Sequence, residues 1–194
     1  MASHALSAAS KVQRAGFWDS YYSSKTKPGL PSQFAAFVAN ELERDTTIID
    51  IGCGHGRDSF FFSRHGFQVI GLDASLSAIE AAQAFADAHP SDHLQFRQYD
   101  LNDGGLDQIV AGCHGAVCIY ARFFLHAIDD EEEAKLLRVL SESCRPGDLL
   151  AVEYRTELDE ETDKQADPHY RRYVKPDDFD ERVKLAGFTK RYGV

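Results

Sequence analysis

The chain has 194 residues, a formal net charge of -10 and an apolar fraction of 43%, enough apolar side chains for one sizeable core and too few residues for two. The acidic balance argues against a general affinity for nucleic acid, whose phosphates reward clustered Lys and Arg. No apolar run reaches bilayer-spanning length, Met1 to Gln13 lacks a secretory apolar region, and Cys53, Cys113, Cys118 and Cys144 show no C-x-x-C pair or zinc spacing, so a cytoplasmic protein with reduced thiols and no metal is expected.

Residues 1–30 are expected to form an N-terminal segment, and 31–194 the domain. The segment carries the aromatic run Phe17-Trp18-Asp19-Ser20-Tyr21-Tyr22. Such a cluster is either a lid whose rings wall off a cationic ligand or a staple that fixes a helix to the core. Pro31-Ser32-Gln33 opens a helix with Phe34, Phe37, Val38 and Leu42 on one face. Thr46 to Ile51 is then a β-branched strand suited to burial on both faces of a parallel sheet.

Asp50-Ile51-Gly52-Cys53-Gly54-His55-Gly56-Arg57-Asp58 follows from this strand into a helix that starts at Asp58 and ends near Gly66. Glycines at alternate positions let the backbone turn with positive φ and leave no Cβ between main chain and ligand. A dinucleotide fingerprint requires a third glycine where Arg57 stands, and no Gly-Lys-Ser/Thr follows for a P-loop. Phe67 to Asp73 is the second strand, ending in an acid 23 positions after Asp50. At that sheet edge a carboxylate faces the first turn and can accept both hydroxyls of a ribose; alternatively it caps the helix from Ser75. Leu94 to Asp100 is a third strand, with Asp100 either beside an adenine or serving the turn at Asn102-Asp103-Gly104-Gly105.

Ala116 to Tyr120 is strand four. The acids at 129–133 then match the positive end of the next helix, so they require no metal. Leu149 to Arg155 is strand five, Pro176 to Ala186 a last helix, and Phe188 to Tyr192 a further strand. Glu157 to Asp167 is polar with little helical face, and is either a lid over an acceptor pocket or a solvated connection.

The D-x-G-x-G-x-G-x-D motif with Asp73 and Asp100 at the next strand ends resembles the class I S-adenosylmethionine-dependent methyltransferases, over about Phe17 to Val194. Gly-Arg-Asp after the glycines looks most like the small-molecule branch near the tellurite-resistance and thiopurine methyltransferases. The resemblance implies an α/β fold, a doubly wound Rossmann-like sheet in three αβα layers. That sheet usually ends in an antiparallel hairpin whose seventh strand is expected to be missing here, either because the sequence is a piece of a longer protein or because a second copy or a partner chain covers the open edge. It implies S-adenosylmethionine as cofactor, held by Tyr21, Asp50, Gly52, Cys53, Gly54, Arg57, Asp58, Asp73, Ala74, Asp100, Leu101 and Tyr120.

Ligands of such sheets lie outside the carboxyl ends of the strands, where Arg, His and Tyr are dense after strands four and five. His126 is a candidate base and Arg122 a second catalytic candidate. Tyr22, Arg155, His169, Tyr170, Arg171 and Arg172 are candidates for binding a small polar acceptor, anionic because an arginine fork pairs with carboxylate or phosphate. A structural histidine and structural ion pairs are the plainer readings of the same residues. The expected reaction is O-methylation; the rivals are a nicotinamide-dependent oxidoreductase and a non-catalytic scaffold that keeps an adenosine pocket.

Overall fold

The computed structural model describes residues 8–23, 28–160 and 170–193. Five strands, β1 (Thr47–Ile51), β2 (Gln68–Asp73), β3 (Leu94–Gln98), β4 (Val117–Arg122) and β5 (Leu149–Glu153), form one sheet in the order β3-β2-β1-β4-β5. All neighbouring pairs are parallel. The strand order reverses beside β1, so the crevice between the carboxyl ends of β1 and β4 is where ligands of such sheets bind.

The helices are α1 (Ala8–Ser23), α2 (Gln33–Glu41), α3 (Arg57–Arg64), α4 (Leu76–Ala88), α5 (Leu106–Ala111), α6 (Asp130–Ser143) and α7 (Pro176–Leu185). Side chains alternate between the faces of each strand. Ile49, Ile51, Val117 and Ile119 accordingly pack with Leu106, Leu136, Leu140 and Phe179 of α5, α6 and α7. Ile48, Val69, Cys118 and Tyr120 pack with Ala35, Val38 and Phe62 of α2 and α3. The helices therefore cover both faces, as the five-residue apolar runs of the central strands demand.

Most helix ends follow the local chemistry of the sequence. Ser32, Ser75 and Asp129 cap α2, α4 and α6 by accepting from the backbone three residues on. Two expectations need correction. Phe37 does not face the core: Ala35 and Val38 are the buried residues of α2, and Phe37 is 48% exposed beneath the ring of Tyr192. No strand forms over 188–192. Instead Gly187 (φ +90) and Phe188 close α7 by donating to Lys184 and Val183 carbonyls, which uses the amides at the start of the expected strand. Phe188 then packs on the α5–α7 side and Tyr192 on α2, so the tail passes from one face of the sheet to the other.

Candidate active site

The turn after β1 is held from both sides by main chain. Gly52 and Cys53 N–H groups donate to the Leu72 carbonyl of β2 at 2.7 and 3.1 Å, and Gly56 N–H to Cys53 O at 3.0 Å. Gly52 and Gly54 have φ of +74° and +56°, values that a residue with a Cβ adopts only at a cost. A Cβ on Gly52 would stand 2.7 Å from the Phe124 ring, and one on Gly54 would stand 2.7 Å from Tyr22 Cζ. The turn is thus a cradle of bare main chain that aromatic rings touch directly.

Asp73 joins this cradle to β2. One carboxylate oxygen accepts from Gly54 N–H at 2.8 Å and the other from Ser75 N–H at 2.9 Å. A carboxylate oxygen has two lone pairs, so each retains an acceptor site for a ribose hydroxyl. Burial raises the Asp73 pKa, against the lowering effect of the Ser75, Gly54 and Ala74 backbone donors.

Asp50 and Asp58 lie deeper than the cofactor role expected for them. Asp50 is 3% exposed and accepts from Ser59 Oγ at 2.5 Å, tying β1 to α3. Asp58 accepts from Ser32 N–H, Ser32 Oγ and Tyr120 OH, each at 2.8 Å, and pairs with Arg57 at 3.2 Å. Tyr120 is fully buried between Phe34 and Phe62. These side chains brace the turn from beneath: Asp58 and Tyr120 bind each other and Ser32, and Asp50 binds Ser59. Burial opposes ionisation of Asp58, but the Ser32 amide, Arg57 and Tyr120 outweigh it and lower its pKa. The Leu101 side chain is likewise in the core, and Asp100 accepts from Asn102 N–H at 2.7 Å in the turn chemistry described above. Ala74 is exposed at the end of β2. Cys53 is buried, and burial holds its thiol well above the ordinary range.

Burial pushes the Asp50 pKa from 3.8 up to about 7, with Ser59 working in the opposite sense. The folded protein therefore keeps this proton up to about pH 7, while the unfolded chain releases it in the ordinary carboxylate range. In that window the folded state binds more protons, so Asp50 makes stability fall as pH rises. Asp50→Asn is expected to flatten the decline of Tm between pH 4 and 7, measured against the unmodified chain over the same range.

Helix α1 crosses the carboxyl edge above this floor. Asp19 accepts from Ser75 Oγ at 3.0 Å and Ser77 N–H at 2.9 Å at the start of α4. Lys11 lies 3.1 Å from Asp129, and Arg14 makes two 2.7 Å hydrogen bonds to Glu132 of α6. Tyr22, expected on the acceptor side, is the ring seated on Gly54. Tyr21 packs against Phe17, Trp18 and Tyr22 and takes no such place. Burial, followed by the Asp73 charge, raises the Tyr22 pKa.

β4 is followed by Phe123, the one residue other than glycine with positive φ (54°) among those described, and then by Phe124, whose ring meets Gly52. The Phe123 N–H donates to Glu153 O of β5 at 2.7 Å. Strain of this kind persists only where its surroundings over-determine it, and it gathers at functional sites. The Arg122 guanidinium lies 4.1 Å from the centre of the Phe123 ring and Arg155 5.2 Å. Arg122 pairs with Glu153, and Arg155 lies 3.6 Å from Asp159. His126 is 5% exposed, with its ring 5.7 Å from that of Phe123.

Arg172 does not offer its fork to an acceptor. It binds Asp130 at 2.5 Å, the Leu125 carbonyl at 3.0 Å and Glu133, fixing the 170–174 segment to the start of α6. Tyr170 lies under Arg14, 6.0 Å from ring to guanidinium, and Arg171 is half-buried beside it. His169 and most of the acidic loop lie outside the described residues. Sequence reasoning missed Asp19, Ser32, Ser59 and Glu132. The D-x-x-E spacing of Asp129 and Glu132 did signal a capping box, but nothing marked Arg14 as its partner.

A model of the methyltransferase domain matches residues 23–192. Among curated proteins, an O-methyltransferase (resE) of Aspergillus sclerotiorum is 29% identical over 141 residues, covering 71% of this chain and 51% of that protein. A 23S rRNA (uracil-C5)-methyltransferase (RlmD) of Pasteurella multocida is 29% identical over 116 residues, covering 57% of this chain and 26% of that protein. The chain thus spans about a quarter to a half of the length of these relatives. Among solved structures, the CcbJ methyltransferase of Streptomyces caelestis has a TM-score of 0.69 at 17% identity, covering 90% of this chain and 86% of that one. The magnesium protoporphyrin IX methyltransferase of Synechocystis, solved with bound S-adenosylmethionine, has 0.61 at 16%, covering 97% and 89%. With the domain match running over most of its length and a cradle and strand-end acid that fit the nucleoside, the chain belongs to the methyltransferase-domain family and has the fold of the class I enzymes that use S-adenosylmethionine.

Proposed function

We propose that the protein transfers the methyl group of S-adenosylmethionine to an oxygen of a small anionic acceptor. When bound, the cofactor supplies a carbon made electrophilic by positive sulfur. The chain then has to align the acceptor and manage one proton. The observation that carries the reading is the packing of Arg122 and Arg155 on Phe123, the residue before Phe124, whose ring touches Gly52. Arg122 meets Glu153 through Nε and Arg155 meets Asp159 through one terminal nitrogen, and with five N–H donors to a guanidinium the two groups can still grip a carboxylate or phosphate in paired hydrogen bonds. His126, packed against the same Phe123, takes the acceptor's proton. The likeness to resE, an O-methyltransferase by name, agrees with oxygen as the target. The net charge of -10 disfavours RNA as the acceptor.

Methyl transfer from labelled S-adenosylmethionine to a panel of small carboxylates, phosphates and phenols, with RNA in parallel, tests this reading. Label on an anionic small molecule is the expected result, and label on RNA alone overturns it. His126→Ala is expected to lower turnover by roughly 10²-fold while leaving affinity for S-adenosylhomocysteine unchanged. Normal turnover would make this histidine structural.

A further inference from the structure

Glu132 is 2% exposed, and its carboxylate collects four donors from three parts of the chain. Arg14 of α1 donates to both oxygens at 2.7 Å. Asn102 Nδ2, in the turn after β3, donates to Oε1 at 2.9 Å, and Asp129 N–H donates to Oε2 at 2.9 Å. Capping α6 accounts for the last of these alone. The other three connect the helix over the cradle to the turn whose Asp100 and Leu101 are the adenine candidates, through Asn102, whose own N–H binds Asp100.

We propose that Glu132 is a positioning residue that couples the seating of α1 over the cradle to the conformation of the turn after β3. The inference rests on the reading of the cradle as the cofactor site. Its energetic basis is the cost of the alternative. When α1 lifts, a buried carboxylate with a pKa held down, against burial, by Arg14, the Asp129 amide and Asn102 loses Arg14 at 2.7 Å and Lys11 at 4.0 Å, its cations among the described residues, and an uncompensated buried charge is strongly destabilising. Asp19, towards the other end of α1, accepts from neutral donors, and Lys11 reaches Asp129 from a more exposed side chain than Arg14, so the charge pairing at Glu132 is the strongest of the three seats. A turn ordered by the same carboxylate then adopts its bound form only while α1 is down, and cofactor affinity depends on both.

The sequence has a single tryptophan, Trp18, which lies in α1, so intrinsic fluorescence reports the seat of this helix directly. Arg14→Gln, Glu132→Gln and the double variant are compared by calorimetry with S-adenosylhomocysteine, and Asn102→Ala is added for fluorescence. Each single change is expected to weaken binding about tenfold, with the double no weaker than either. Trp18 emission is expected to shift to longer wavelength in all of them, including Asn102→Ala, which lies outside α1 and is bonded to Glu132. Arg14→Gln leaves the cap of α6 intact, so the comparison does not depend on Glu132→Gln folding. Wild-type affinity in both single variants, losses that multiply in the double, or unchanged Trp18 emission in Asn102→Ala would each overturn the coupling. Failure of the unmodified chain to bind S-adenosylhomocysteine would instead overturn the cofactor reading, and the emission of Asn102→Ala would still decide the link between α1 and the turn.

Discussion

Gly54→Ala is expected to weaken S-adenosylhomocysteine binding by a hundredfold or more, about 2.8 kcal/mol. Two costs combine. At φ +56° an alanine pays about 1–2 kcal/mol for a left-handed backbone. Its methyl would also lie 2.7 Å from Tyr22 Cζ and 2.9 Å from Cε1, inside van der Waals contact. The ring must then leave the cradle, and the new methyl stands between the main chain and anything that replaces the ring. Gly66→Ala separates the costs. Gly66 has φ +88° but no heavy atom within 4 Å of the added methyl, so it bears the backbone penalty alone. Both variants are expected to lose Tm, and only Gly54→Ala to lose affinity. Equal affinity in the two, measured by calorimetry, would mean that the turn does not approach a ligand with bare main chain.

The sheet was legible because its strands are mostly apolar runs, with β3 alternating apolar and polar residues, all bounded by turn residues, and the parallel order follows from helices alternating with them. The cradle was legible because glycines at alternate positions have few other uses. Depth was not. Asp50, Asp58 and Tyr120 have the residue types of a ligand shell, yet Ser59 and Ser32, distant or unremarkable in sequence, draw them beneath the turn. The same holds for Arg172, whose fork is taken by Asp130, by Glu133 and by a carbonyl 47 positions earlier. Long-range pairing of this kind leaves no periodic trace. Tyr21 and Tyr22 are adjacent on a helix and point about 100° apart, so which of them meets the cradle depends on the rotation of α1 as docked by Asp19 and Arg14. The missing sixth strand is a case of local chemistry prevailing, since Gly187 and Phe188 end α7 with the amides a strand would have needed.

Asp73→Asn and Asp58→Asn are expected to part company, though both remove a charge within one turn of the cradle. Asp73 does nothing for the fold that an amide oxygen cannot partly replace, since the donors it accepts from, Gly54, Ser75 and Ala74, are all backbone N–H groups. The amide nitrogen, however, faces a donor where the carboxylate presented an acceptor, and a lost charge-assisted hydrogen bond is worth about 1.5–3 kcal/mol. Binding of S-adenosylhomocysteine is therefore expected to weaken roughly 10- to 100-fold in Asp73→Asn. Asp58 has no acceptor capacity left for a ligand: Ser32 supplies two donors, Tyr120 a third and Arg57 a fourth. Its charge, favoured in the folded state, contributes stability above the ordinary carboxylate pKa and loses it as pH falls. Asp58→Asn breaks a buried network that joins α2, α3 and β4, so its Tm is expected to fall several degrees at pH 7 and its deficit to narrow towards acid. Affinity, measured at a temperature where the variant is folded, is expected to change less than threefold. Loss of affinity in Asp58→Asn with none in Asp73→Asn would exchange the roles of the two acids and move the ligand to the α2 side of the turn.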